Sequence, residues 1–317
     1  MTSDRRRGRR RGGGLAAWLG RIAAAGALGY LGYLTVEGSR RIVFPDRKPF
    51  LPAEGEPATP ADLGLMYEDV RFTTDDGVTL SGWLIGAGRE TRAAVVLMHG
   101  FSWHRLPWLA GFVPWLQRRY NVLQFDFRGH GGSDDAPITL GTLEQRDVAA
   151  AVHFLAGRGL GPIALMGISM GGSVAIMAAP DLPVAAVVAD AAYAELSDPI
   201  ANRMREGGLP MARLGARLVV GAASVRARVR LHSPIHQVAR IAPRGLLLIA
   251  PGEDRLVSPA QSERLYQAAG EPKELLVVEG AAHAEAHSAA PEVYEERVLD
   301  FLARHLDGLP LNGVAPV

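Results

Sequence analysis

The chain contains no cysteine. Disulfides, thiolate nucleophiles and cysteine-ligated zinc are therefore excluded, and the absence is compatible with either side of a membrane. None of the nine histidines belongs to a His-Glu-x-x-His pair and the carboxylates form no ligand-like cluster, so no metal site is expected. A nucleotide cofactor has no support in the sequence, so the expected cofactor set is empty. Charge of one sign is also lacking overall. Lys and Arg total 34 against 33 Asp and Glu, a net charge of +1, which gives no global support to nucleic-acid binding. What the sequence has is apolar residues: 48% of 317, enough to bury one sizeable core or two small ones. One catalytic domain with additions fits best.

The positive charge that does cluster lies at the start, in Arg5-Arg6-Arg7-Gly8-Arg9-Arg10-Arg11, within a basic segment 1–14. Residues 15–36 follow, almost entirely Ala, Gly, Leu, Ile, Tyr and Trp, a length that suits a transmembrane helix. Arg21 interrupts the run near its basic end, where a long side chain snorkels to the headgroups. A cleaved signal peptide is the competing reading, since Ala25-Gly26-Ala27 resembles a small-residue cleavage site, but apolar residues continue for most of ten positions beyond it. The uncleaved anchor is favoured. By the positive-inside rule the N-terminus stays cytoplasmic and the main domain is extracytoplasmic, although Arg40, Arg41, Arg47 and Lys48 soften the asymmetry. Residues 37–64, rich in Pro, Glu and Ala from 44 to 60, read as an extended linker. Residues 307–317 read as a C-terminal tail.

The folded domain is expected over 65–306. Alternating segments 68–74 and 79–85 around Asp75-Asp76-Gly77 make a hairpin at a sheet edge. The continuous apolar run 93–98 reads as a strand buried on both faces, followed by His99-Gly100-Phe101, where a glycine lets the backbone turn and aim the Phe101 N–H. Strand 122–125 ends in the polar, glycine-rich loop 126–133. That loop reads as a hydrogen-bonded brace rather than a catalytic Asp126–His130 pair. Thr142 and Gln145 have capping-box spacing at the start of a helix that precedes strand 163–166. Further strands at 184–189, 245–249 and 275–278 alternate with helices, which implies a mostly parallel sheet flanked by helices with active groups at the strands' carboxyl ends. Residues 193–240 break the rhythm and read as a helical cap.

Gly167-Ile168-Ser169-Met170-Gly171-Gly172 places a serine at a sharp strand-to-helix turn, between glycines that let the two segments approach. Such a turn lifts the hydroxyl out of the sheet and leaves the Met170 N–H facing any oxyanion formed there. Two carboxylates, Asp190 and Asp254, fall at the ends of strands, and two histidines, His283 and His287, follow the last one. Asp254 is favoured as the acid because it lies in a short loop opened by Gly252, whereas Asp190 leads straight into the cap. His283 is favoured as the base because His287 lies four residues further from the strand end.

The order Ser169, Asp254, His283, each just past a strand, resembles the α/β-hydrolase superfamily, and in particular membrane-anchored bacterial serine hydrolases related to its esterase and prolyl oligopeptidase branches. The resemblance spans about 65–306. It implies Ser169 as nucleophile, Asp254 as the acid of a G-x-x-D-x-x-V loop, His283 as base, and the N–H groups of Phe101 and Met170 as the oxyanion hole. Pro251 departs from the family, which often has histidine there. Beside the resemblance stands the chemistry: serine needs an imidazole to take its proton, and the imidazole needs a carboxylate to hold its tautomer. The expected function is a carboxylesterase-like serine hydrolase cleaving an ester, or a thioester or amide, of a small-molecule acyl substrate. Alternatives are an acyltransferase or peptidase on the same fold, or a membrane-tethered binding protein without turnover. Oligomeric state is left open.

Overall fold

The computed structural model describes residues 12–307. The basic cluster at 5–11 and residues 308–317 of the expected tail lie outside the described residues. The chain opens with helix α1 (Gly12–Val43) and then builds a sheet from the hairpin β1 (Tyr67–Thr73) and β2 (Thr79–Ile85), β3 (Ala94–Met98), β4 (Asn121–Phe125), β5 (Ile163–Ile168), β6 (Ala186–Asp190), β7 (Gly245–Pro251) and β8 (Lys273–Val278). Helices α2 (Leu109–Gln117), α3 (Glu144–Gly157), α4 (Met170–Ala178), α5 (Ser197–Glu206), α6 (Ala212–Ala227), α7 (Pro259–Ala268), α8 (Ala286–Ala289) and α9 (Pro291–Leu306) connect and cover it.

Strand order is β1-β2-β4-β3-β5-β6-β7-β8, with β2 antiparallel to both neighbours and every pairing from β4 to β8 parallel. Strands β3, β5, β6 and β7 are buried at every position, as continuous aliphatic runs must be when helices cover both faces. Side chains alternate between two cores. Val96, Met98 and Leu165 face α3 and α4, while Val95, Leu97 and Met166 face α2 and α9. From β3 the chain proceeds to β4 on one side, and β5 then pairs on the other. This reversal of strand order opens a crevice above the carboxyl ends of β3 and β5, where ligands bind in open parallel sheets.

Two local expectations need correction. Helix α3 starts at Glu144 rather than Thr142, because the buried Glu144 carboxylate accepts hydrogen bonds from the Thr139 N–H and hydroxyl and from the Gly141 N–H, which ties down the preceding turn. Gln145 instead donates to the Thr142 carbonyl. The second correction concerns the linker. Helix α1 does not stop at Val36 but continues to Val43, and it packs against α6 around Gly38 and Ser39, with Ser39, Ile42 and Val43 buried. The extended segment therefore begins after Val43, and it is docked: Arg47 donates to the carbonyls of Gly131 and Ser133, and Phe50 packs edge-on against Trp83.

Candidate active site

Ser169, between β5 and α4, has φ 56° and ψ −114°, a backbone conformation that a serine adopts only when its surroundings enforce it. The enforcement is visible. A Cβ on Gly167 would collide with the Gly171 backbone, and one on Gly171 would stand 2.5 Å from the Met98 carbonyl oxygen. The Ser169 N–H donates to the Asp190 carbonyl at 2.7 Å, which ties the turn to β6. Gly167→Ala should destabilise the fold by about 3 kcal/mol, since backbone rather than a movable side chain fills the space. Chemical denaturation checks this, and an unchanged midpoint would contradict it.

The Ser169 hydroxyl lies 3.0 Å from His283 Nε2, and His283 Nδ1 lies 2.6 Å from Asp254 Oδ2. The other Asp254 oxygen accepts the N–H groups of Leu256 at 2.9 Å and Val257 at 2.7 Å, which fix the orientation of the carboxylate. Asp254 is buried, whereas the His283 side chain keeps 24% exposure at the mouth of the crevice. A carboxylate on Nδ1 holds the tautomer in which Nε2 is free to receive the serine proton. The loop after β3 completes the arrangement: a Cβ on Gly100 would lie 3.6 Å from the Ser169 Cβ, and Phe101 and Met170 border the same pocket as Ser169.

Neither competing residue takes part in this chain. The Asp190 Oδ2 accepts the Tyr294 hydroxyl at 3.0 Å, and its Oδ1 is buried without a partner. Burial pushes Asp190 up to about 7, against the opposing influence of Tyr294 and His283. His287 instead pairs with Glu295 and stacks on Trp115. In the loop at 126–133, Asp126 accepts the backbone N–H groups of Arg105 and Gly132 and forms a buried ion pair with Arg105. His130 donates to the Arg128 carbonyl and accepts the Ser102 N–H, and burial pushes it down to about 4. His99 likewise accepts the Phe127 N–H, and burial lowers it well below the usual histidine value. Both imidazoles are thus neutral, as acceptors must be. Among the described residues no group of three or more His, Asp or Glu is arranged to hold a metal.

Above Ser169 lies an apolar pocket of about 420 Å³. Leu196, Ile200 and Met204 form part of it, as the position of the α5–α6 segment between β6 and β7 leads one to expect, and Leu140 from the loop before α3 joins them. Sequence reading missed its other wall. Tyr33, Leu34, Glu37, Gly38, Arg41 and Ile42, all on α1, border the pocket that contains Ser169. A signal was present: Leu34, Gly38 and Ile42 recur at a four-residue spacing straight through the supposed boundary at Val36.

The sequence profile of the alpha/beta hydrolase family matches residues 95–297. The uncharacterized protein Rv2307c of Mycobacterium tuberculosis is 31% identical over 294 residues, covering 90% of this chain and 92% of that protein. The uncharacterized protein YfhR of Escherichia coli is 29% identical over 257 residues, covering 76% of this chain and 82% of its own. Among solved structures, the esterase Pf2001 of Pyrococcus furiosus superposes with a TM-score of 0.69 at 29% identity, covering 82% of this chain and 98% of that one.

Proposed function

Because the chain belongs to the alpha/beta hydrolase family, we propose that it is a membrane-anchored serine hydrolase that cleaves small-molecule acyl esters through an acyl-enzyme. The observation that carries this reading is the unbroken chain from the Ser169 hydroxyl through His283 to Asp254 at a strained turn. As Ser169 Oγ attacks the ester carbonyl, its proton passes to His283 Nε2, and Asp254 stabilises the imidazolium. The oxyanion is met by the N–H groups of Met170, at the start of α4, and Phe101. His283 then gives the proton to the departing alcohol, and a water activated by the same imidazole releases the acid. The esterase likeness supports an ester as the preferred bond. Purified protein should turn over short p-nitrophenyl esters, and no turnover across a series of acyl lengths would overturn the reading.

The anchor is α1, of which residues Ala17–Val43 are long and apolar enough to cross a bilayer, and the stretch from Trp18 to Leu28 presents exposed Trp18, Leu19, Ile22 and Leu28. Cleavage after Ala27 would leave the pocket-bordering part of α1 on the domain, so the pocket itself does not require the upstream half. The uncleaved anchor is supported by apolar surface that continues without a break through that position. Full-length protein should sediment with membranes, and protease added to spheroplasts should digest the hydrolase domain. Protection of the domain would reverse the orientation. Truncation before Leu28 should release an active soluble domain, whereas truncation at Phe44 should yield a poorly active one, because it uncovers Val219 and removes one wall of the pocket.

A further inference from the structure

The pocket and the apolar surface of α1 are continuous. Tyr33 borders the pocket and is itself 64% exposed, and the exposed Leu28 and Ile22 extend apolar surface away from the domain along the same helix. The junction between α1 and α6 is tight: a Cβ on Gly38 would lie 2.8 Å from Val219 Cγ2, and Arg226 donates to the Ser39 hydroxyl. Val219 and Arg226 thus lie beside the C-terminal end of α1. Leu209, just before α6, borders the same pocket as Tyr33 and Leu34.

Helix α6 is apolar on two faces. Ala216, Val219 and Ala223 are buried against the domain and α1. On the opposite side Leu214, Leu218 and Val225 are exposed, and at about 100° per residue they fall within an arc of about 40°. Arg213 and Arg217 border that stripe on one side, and the helix contains no acidic residue. An apolar stripe bordered by arginines, beside a helix long enough to cross a bilayer, has the character of an interfacial helix that lies in the headgroup region. Its neighbour α1 defines which surface it meets, since the two helices run side by side.

We propose that the substrate is a long-chain acyl ester resident in the bilayer, that its chain reaches Ser169 along the seam between α1 and α6, and that the C-terminal turns of α1 set the chain-length preference. The inference rests on the hydrolase reading of the same site and assigns its substrate class. The anchor is then a wall of the substrate pocket as well as a tether, and α6 is its second contact with the lipid. Every methylene accepted by the pocket contributes about 0.8 kcal/mol, or roughly fourfold in kcat/KM where the chain is fully bound. A pocket of about 420 Å³ falls within the usual range for small-molecule sites.

The test uses full-length protein reconstituted into vesicles of phosphatidylcholine and phosphatidylglycerol, with p-nitrophenyl dodecanoate dissolved in the bilayer and p-nitrophenyl butanoate in solution. The readout is the ratio of dodecanoate to butanoate turnover. Leu34→Trp, which fills the α1 wall, should lower this ratio at least tenfold by excluding two or three methylenes. Leu214→Glu with Leu218→Glu changes only exposed positions outside the pocket and should lower the same ratio at least tenfold by lifting α6 off the lipid. Unchanged ratios, with butanoate turnover abolished by Ser169→Ala, would overturn the lipid route while the hydrolase reading stands. Butanoate turnover that survives Ser169→Ala would instead remove the hydrolase reading and this inference with it.

Discussion

Ser169→Ala should reduce turnover of a short p-nitrophenyl ester by about 10⁶-fold, as loss of the serine alone does in an unrelated triad enzyme whose three residues act as a unit. The expected size follows from the geometry. Without Oγ, the imidazole at 3.0 Å has no proton to receive, and only the oxyanion donors and the pocket remain to accelerate direct attack by water. The fold should survive, because the serine side chain makes its hydrogen bond to His283 while its backbone N–H, unaffected by the substitution, ties the turn to β6. Circular dichroism and a thermal melt provide the control. Activity within tenfold of wild type, in protein shown to be folded, would mean that the nucleophile lies elsewhere.

The second large effect separates the two buried carboxylates. Asp254→Asn should cost about 10⁴ in turnover near neutral pH, because the amide leaves the shape intact but removes the charge that stabilises the imidazolium and can select the wrong tautomer. Asp190→Asn should leave turnover within about an order of magnitude, since Asp190 is hydrogen-bonded to Tyr294 rather than to His283. Its effect belongs to stability. Burial raises Asp190 from 3.8 to about 7, so below pH 3.8 both folded and unfolded chains hold the proton and the group contributes nothing to pH dependence. Between 3.8 and 7 the unfolded chain releases the proton while the folded chain retains it, and stability falls as pH rises, by up to about 4 kcal/mol. Asp190→Asn removes that fall. Relative to wild type it should gain stability between pH 4 and pH 8, measured by urea denaturation at the two values. A variant equally stable relative to wild type at both pH values would contradict the linkage, and loss of turnover in Asp190→Asn with retention in Asp254→Asn would exchange the two assignments.

The centre of the sheet was legible because its strands are buried on both faces. Continuous aliphatic runs such as Ile163 to Met166 carry their own signal, and the glycines around Ser169 state a steric need that the Gly167 and Gly171 contacts make explicit. Ser169 and Asp254 follow such runs, whereas His283 follows the half-buried edge strand β8. What sequence alone could not give was contact between elements distant in the chain. The start of α3 was misread because the buried Glu144 carboxylate, not Thr142, organises the turn, and its three hydrogen bonds depend on burial that local spacing does not reveal. The role of α1 was hidden more completely. Residues 15–36 read as membrane-spanning and 37–64 as a tether, but helix–helix packing of Gly38 on Val219 carries α1 onto the domain, and that pairing joins positions 181 residues apart, the difference between 219 and 38. The polar loop 126–133 was readable as a brace from its glycines and polar residues, but its main partner, the buried Arg105 that pairs with Asp126, was not.

The central claim is that Ser169 is an activated nucleophile, and covalent labelling measures it most directly. Folded full-length protein in detergent should react with a fluorophosphonate probe in a one-to-one ratio, with the adduct located on Ser169 by peptide mass spectrometry. His283→Ala should slow the reaction by several orders of magnitude, because the hydroxyl then has no base within hydrogen-bond distance. Absence of an adduct on Ser169 in folded wild-type protein, or an adduct on another residue that persists in Ser169→Ala, would contradict the account.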